Sequence, residues 1–113
     1  MEKVCVLGTG SWGSALGLTL AKKGYEVSMW TLNEEQAKRI NKTRENIDYL
    51  PGVLFPNNMT VTISLEEAVL NSIIIVLAVP SQAIRKLHLR DIPMTNRLQI
   101  IMQLFRPVRG WGL

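Results

Sequence analysis

The stretch VCVLGTGSWGSALG, residues 4–17, restricts the fold more than any other part of the chain. An apolar, Val-rich run from Lys3 to Leu7 ends at a glycine, and Gly8, Gly10 and Gly13 stand in G-x-G-x-x-G spacing. Between a strand and a helix, each glycine has its own task. Gly8 allows the tight turn off the strand, Gly10 lets a pyrophosphate come close to the backbone, and Gly13 lets the helix pack on the strand. The helix N-terminus then presents N–H groups and the positive end of its dipole to phosphate oxygens. Ser11 and Trp12 open that helix, so their N–H groups are the expected donors. Trp12 has two readings: a core aromatic on the first helix, or a cofactor contact within the turn.

The rest of the chain alternates between strand and helix patterns. Trp12, Ala15, Leu16, Leu20 and Ala21 recur at helical spacing over Ser11–Lys23, and Gly24 stands where a helix C-terminal glycine belongs. Glu26–Trp30 reads as a second strand and completes a βαβ unit. Asn33 caps a second helix, with Gln36 completing a capping-box-like pair. Residues 43–58, broken by Pro51, Gly52 and Pro56, read as a loop of a length that is often functional. Val61–Ile63 is a short third strand. Ser64 with Glu67 opens a short helix through Leu70. Ile73–Val79 is β-branched, uncharged and central, and Pro80 ends it. Ser81 then opens a further helix from Gln82 to about Leu87. This alternation predicts a Rossmann-like α/β fold: an incomplete parallel sheet of about four strands, helices on both faces, and no second domain. Right-handed crossovers give the strand order 3-2-1-4. The crevice between the first and fourth strands is the topological switch point, flanked by Gly8–Gly13 on one side and Pro80–Ser81 on the other.

Composition narrows the function classes. With 113 residues, 47% hydrophobic and 19% charged, the chain has the size and content of one globular domain. Its net charge of +4 is unevenly placed. Residues 1–87 hold nine Lys and Arg against eight Asp and Glu, whereas residues 88–113 hold four Arg and one Asp. The main body therefore lacks the basic footprint of a nucleic-acid binder. Cys5 is the one cysteine and His88 the one histidine, which excludes a disulfide framework and a Cys/His metal cluster. The longest apolar run, Ile73–Val79, is far short of a membrane span, and the N-terminus does not read as a signal peptide. A cytoplasmic location is expected.

The end of the second strand should read the adenosine ribose: an acid there marks NAD, and a nearby Arg marks NADP. Thr31-Leu32-Asn33 offers neither. The lack of Arg or Lys between Thr31 and Gln36 slightly favours NAD(H).

Taken in order, VLGTGSWGSALG, VSMW, NIDYLPGVLFPNNMTVT, SLEEAV and IIIVLAVPSQAIRK resemble the N-terminal domain of the bacterial NAD(P)-dependent glycerol-3-phosphate dehydrogenase family. The likeness runs from Lys3 to Leu87, and the YLPG loop is its specific part. It implies hydride transfer that interconverts sn-glycerol 3-phosphate and dihydroxyacetone phosphate, feeding phospholipid synthesis. By this resemblance Ser11 and Trp12 match the family's cofactor-contacting pair, beside Gly8, Gly10, Gly13 and Pro80. Leu32 and Asn33 fall where members often place a basic residue toward the ribose or its phosphate, and this departure puts NADPH preference in doubt. Tyr49 lies in the family loop, either as a cofactor neighbour or as an anchor packing the loop on the sheet. Family members continue with a lysine that contacts substrate and cofactor, then a helical domain carrying the catalytic lysine. No lysine follows Lys86 here, so no catalytic residue is assigned and a phosphorylated substrate belongs to the full-length family.

Beyond Leu87 basic usage changes from six Lys and three Arg to four Arg without Lys. Residues 88–113 read as a divergent tail, of the kind a reading-frame change or premature stop produces. Leu98, Ile101, Met102 and Phe105 recur at helical spacing, which fits an amphipathic helix that covers a sheet edge or pairs with a second copy in a homodimer, and equally an aggregation-prone extension. Four functions remain in play: the cofactor half of the dehydrogenase, weakly active or inactive alone; a non-catalytic dinucleotide-binding module; an unstable truncated product, because a sheet stopped after four strands has an open edge; or a relative acting on a 2-hydroxy or 3-hydroxy acid, against which the YLPG loop argues.

Overall fold

A computed structural model describes residues 2–78 and the backbone of 99–102. Its elements are β1 (Lys3–Leu7), α1 (Ser11–Lys22), β2 (Glu26–Trp30), α2 (Glu34–Thr43), β3 (Met59–Thr62), α3 (Leu65–Val69), β4 (Ser72–Leu77) and β5 (Gln99–Met102). The strands form one sheet in the order β3-β2-β1-β4-β5, and every neighbouring pair is parallel. The expected 3-2-1-4 order is present, extended by one strand. Val79, Pro80 and the helix expected over 82–87 lie outside the described residues.

The fifth strand corrects the reading of the tail. Ile101 and Met102, which fit the face of an amphipathic helix, instead pair with Val76 and Leu77 of β4. A short apolar run with no breaker satisfies either period, and pairing with a distant strand decides between them. As a result β4 is an interior strand and not the open edge that four strands would leave.

Parallel strands bury both faces, and β1 shows it: Val4, Cys5, Val6 and Leu7 are all 1% exposed or less. Cys5 and Leu7 join Trp30, Ile75 and Leu77 under Ala68 and Val69 of α3. Val6 joins Val27, Met29, Met59 and Val61 on the other face, under Ala21 of α1 and Ala37 and Ile40 of α2. Helix α1 ends as its sequence suggests, at Gly24. The Gly24 and Tyr25 N–H groups fold back onto the Ala21 and Leu20 carbonyls, closing a Schellman motif.

The outer edge of β3 is fully bonded from within the chain. In a parallel strand alternate residues point both backbone groups outward, here Met59 and Val61. The Met59 N–H donates to the Pro56 carbonyl, and its own carbonyl accepts from Nη2 of Arg44. The Val61 carbonyl accepts from Nδ2 of Asn41, and the Val61 N–H donates to Oδ1 of the same amide. Arg44 holds a left-handed conformation, φ 63°, that turns the chain out of α2. It also donates to the Pro56 carbonyl, so one guanidinium ties both ends of the 44–58 loop to the strand. Phe55, 4% exposed, pins the loop to the core.

Candidate functional site: the glycine turn at the end of β1

The site is assembled where β1 gives way to α1. Gly8 has φ 135°, a conformation that a side chain would strain. Its N–H donates to the Trp30 carbonyl at 3.0 Å, and the Leu7 carbonyl accepts from the Ala78 N–H at 2.9 Å. The turn is thus stitched to β2 on one side and to the end of β4 on the other. Gly13 is where α1 crosses that turn. A Cβ there would lie 2.8 Å from the Gly8 carbonyl oxygen and 3.2 Å from Cβ of Ala78. Only a residue without a side chain lets the helix approach so closely.

The three helices begin differently. Asn33 caps α2, accepting from the Gln36 N–H, and Glu34 and Glu35 fill its first turn. Ser64 caps α3, accepting from the Glu67 N–H, and Glu66 and Glu67 fill its first turn. Helix α1 starts at Gly10, which has no side chain to cap with, and its first turn holds no acid. Two helix starts are therefore neutralised from within the chain, and α1 keeps the positive end of its dipole for another anion.

Behind the turn lies a buried polar network. Oγ1 of Thr9 donates to Oε1 of Gln36 at 2.8 Å, and Oγ1 of Thr31 donates to the same oxygen at 2.9 Å. On the other side of Thr9, its carbonyl accepts from Nδ2 of Asn46 at 2.8 Å and from Oγ of Ser14 at 3.2 Å. Nδ2 of Asn46 also donates to Oγ of Ser14. Thr9, Ser14, Thr31, Gln36 and Asn46 are all buried. The capping box expected at Asn33 is half realised. Asn33 accepts from the Gln36 N–H as foreseen, but its own N–H donates to Oγ1 of Thr31. The threonine takes the place a returning glutamine would fill, which leaves the Gln36 amide to accept from the glycine turn.

The sequence-derived site residues are placed as follows. Gly8, Gly10, Ser11 and Gly13 form the turn and the start of α1, as their spacing requires. Trp12 is half-buried and packs against the core on the α1 face. With Val4, Leu16, Leu20, Tyr25, Ile74 and Val76 it lines an apolar groove of about 300 Å³ between α1 and β4. Leu32 stands just beyond β2 and is 67% exposed, while Asn33 is occupied as the α2 cap. Tyr49 is 39% exposed, so the loop is anchored to the core by Phe55 and Leu50 and not by Tyr49. Pro80 lies outside the described residues. Thr9 and Ser14 lie within the glycine stretch but outside its motif positions, and no short motif links them to Gln36 and Asn46, 27 and 37 positions from Thr9.

Cys5 takes no part in this chemistry. It is fully buried in β1, and burial pushes its thiol up to about 12. Among the described residues there is no cluster of His, Cys, Asp or Glu that could hold a metal ion, and no helix is long and apolar enough to cross a membrane.

A parallel sheet in this order, with a glycine turn opening an uncapped helix beside the switch point, defines a dinucleotide-binding α/β domain. Residues 3–106 match the model of the NAD-dependent glycerol-3-phosphate dehydrogenase N-terminus, and the chain belongs to that family. It is 50% identical over 111 residues to the glycerol-3-phosphate dehydrogenase [NAD(P)+] of Pelotomaculum thermopropionicum, covering 98% of this chain and 32% of that protein. Among solved structures, the glycerol-3-phosphate dehydrogenase of Coxiella burnetii superposes with a TM-score of 0.83 at 28% identity, covering 96% of this chain and 34% of that one. The Saccharomyces cerevisiae glycerol-3-phosphate dehydrogenase gives 0.80 at 30% identity, covering 91% and 33%. The chain thus spans about a third of the length of these relatives. The family match continues past Leu87, where the change of residue usage suggested it would stop, and runs through β5.

Proposed function

We propose that these 113 residues hold NAD(H) as the cofactor-binding part of a glycerol-3-phosphate dehydrogenase. The observation that carries the proposal is the start of α1: a glycine cap, no acid in the first turn, and a turn packed too tightly for a side chain at Gly13. That donor set fits a pyrophosphate, with the backbone of Gly8–Gly13 and the N–H groups of Gly10, Ser11 and Trp12 around it. When bound, the nicotinamide would supply the redox chemistry, its reduced form giving a hydride to dihydroxyacetone phosphate and its oxidised form accepting one from sn-glycerol 3-phosphate. The chain's own part would be to fix the phosphates at the glycine turn between β1 and α1. Acid–base chemistry on the substrate belongs to residues beyond this stretch, as the resemblance implies, so these residues alone bind cofactor with little or no turnover. The preference for NAD over NADP rests on Leu32, an exposed apolar side chain at the ribose corner with no positive charge to meet a 2′-phosphate.

The test is a titration of NADH into the 113-residue chain, read by energy transfer from tryptophan. Saturable binding is expected, tighter for NADH than for NADPH, and Leu32→Arg should move the preference toward NADPH. Ser11→Asp is the sharper variant. An acid in the first turn favours the helix dipole but repels phosphate, so thermal unfolding should hold or rise while binding is lost. A cooperatively folded chain that shows no saturable binding would overturn the proposal. Reduction of dihydroxyacetone phosphate at the rate of a full-length relative would overturn the claim of little turnover.

A further inference from the structure

We infer that Asn46, in the loop between α2 and β3, is a positioning residue for the phosphate cradle: it fixes the Thr9–Gly10 peptide so that the Gly10 N–H points outward. The inference rests on the reading that the glycine turn holds the dinucleotide phosphates. Asn46 is 1% exposed, and its Nδ2 donates at 2.8 Å both to the Thr9 carbonyl and to Oγ of Ser14. Ser14, fully buried, donates its own hydroxyl hydrogen bond to the same carbonyl. Two donors thus draw the Thr9 carbonyl into the interior. Among the described residues no peptide bond is cis, and in a planar trans peptide the C=O and N–H point in opposite directions. A Thr9 carbonyl held inward therefore holds the Gly10 N–H on the opposite side, at the mouth of the turn where α1 begins. Without the two donors the peptide could rotate about ψ of Thr9 and φ of Gly10, and the glycine resists little.

The backbone of Asn46 is fixed in its turn. Its carbonyl accepts from the N–H groups of Tyr49 and Leu50, closing the first bend of the loop. Phe55 and the Arg44 contacts hold the far end of that loop. The YLPG segment thereby acts on the cradle from behind, through one amide, without touching the phosphates.

Asn46→Ala and Asn46→Asp in the full 113-residue chain test this, with NAD+ affinity measured by calorimetry and stability by thermal unfolding. Asn46→Ala should weaken NAD+ at least tenfold while unfolding stays cooperative. Asn46→Asp keeps the shape but sets an acceptor against the Thr9 carbonyl, so at pH 8 it should bind as poorly as the alanine variant. Burial raises the pKa of such a carboxyl, and once protonated it can donate again. Its affinity should therefore recover several-fold between pH 8 and pH 6, over which the unmodified chain stays flat. A side chain that merely fills space would give no such pH profile. Should Asn46→Ala not unfold cooperatively, Ser14→Ala, which removes one of the two donors, should still weaken NAD+ about threefold. Asn46 variants that bind NAD+ within twofold of the unmodified chain at every pH would overturn the inference alone. A folded, unmodified chain that does not bind NAD+ would overturn the cofactor reading and the inference with it.

Discussion

Two corners of the molecule are built to one local plan and put to different uses. At the end of β2, Thr31 accepts from the Asn33 N–H, Asn33 accepts from the Gln36 N–H, and Thr31 donates to the Gln36 side chain. At the end of β3, Thr62, Ser64 and Glu67 repeat all three bonds in the same spacing. The bonds have nearly the same lengths, apart from the last, 2.9 Å at the first corner and 3.4 Å at the second. What differs is the setting. Gln36 is 6% exposed and accepts from Thr9 as well, so the first corner is joined to the glycine turn. Glu67 is exposed, and among the described side chains its carboxylate meets only Thr62. A strand-to-helix corner is a local device, and one further long-range bond makes it part of a site.

The largest effect should come from breaking that bond. Gln36→Ala leaves the hydroxyls of Thr9 and Thr31 buried without their acceptor, and should cost about 3 kcal/mol in urea unfolding. NADH affinity should fall with it. Next is Gly13→Ala, which drives a methyl against the Gly8 carbonyl and parts α1 from the turn, at about 2 kcal/mol. Gly17→Ala is its control. A Cβ there meets the thioether tips of Met29 and Met59 at 3.3 Å, which can move aside, so its cost should stay below about 1 kcal/mol. The two caps should behave alike: Asn33→Ala and Ser64→Ala should each cost about 1 kcal/mol, because the local plan is shared. Smallest is Glu67→Ala, within about 0.5 kcal/mol, since its carboxylate is solvated in either state. Equal losses for Gln36→Ala and Glu67→Ala would break the contrast between the corners.

Much of this was legible in the sequence because its signals are local. The glycine spacing after Lys3–Leu7, the Asn33 and Ser64 caps, Gly24 and the β-branched run of β4 each act within a few residues, and together they yield the order of four strands. What was missed depends on partners far away. Residues 99–102 became a strand because β4 offers them an edge, which their own spacing cannot reveal. Thr9, Gln36 and Asn46 look like ordinary turn, helix and loop polar residues. They become a network only because the fold brings together positions 27 and 37 apart. Of the two readings of Tyr49, cofactor neighbour or loop anchor, its exposure speaks against the anchor, because the buried members of the loop are Asn46 and Phe55.

The outward groups of β3 bear on how this chain meets others of its kind. A bare outer strand is a template on which a second molecule can stack, and repeated stacking makes fibres. Here the Asn41 amide, the Pro56 carbonyl and the Arg44 guanidinium already occupy the backbone groups of Met59 and Val61 that face outward. Asn41 and Arg44 thus leave an approaching strand no open backbone partner at Met59 and Val61, so this edge is closed by hydrogen bonds made within one molecule.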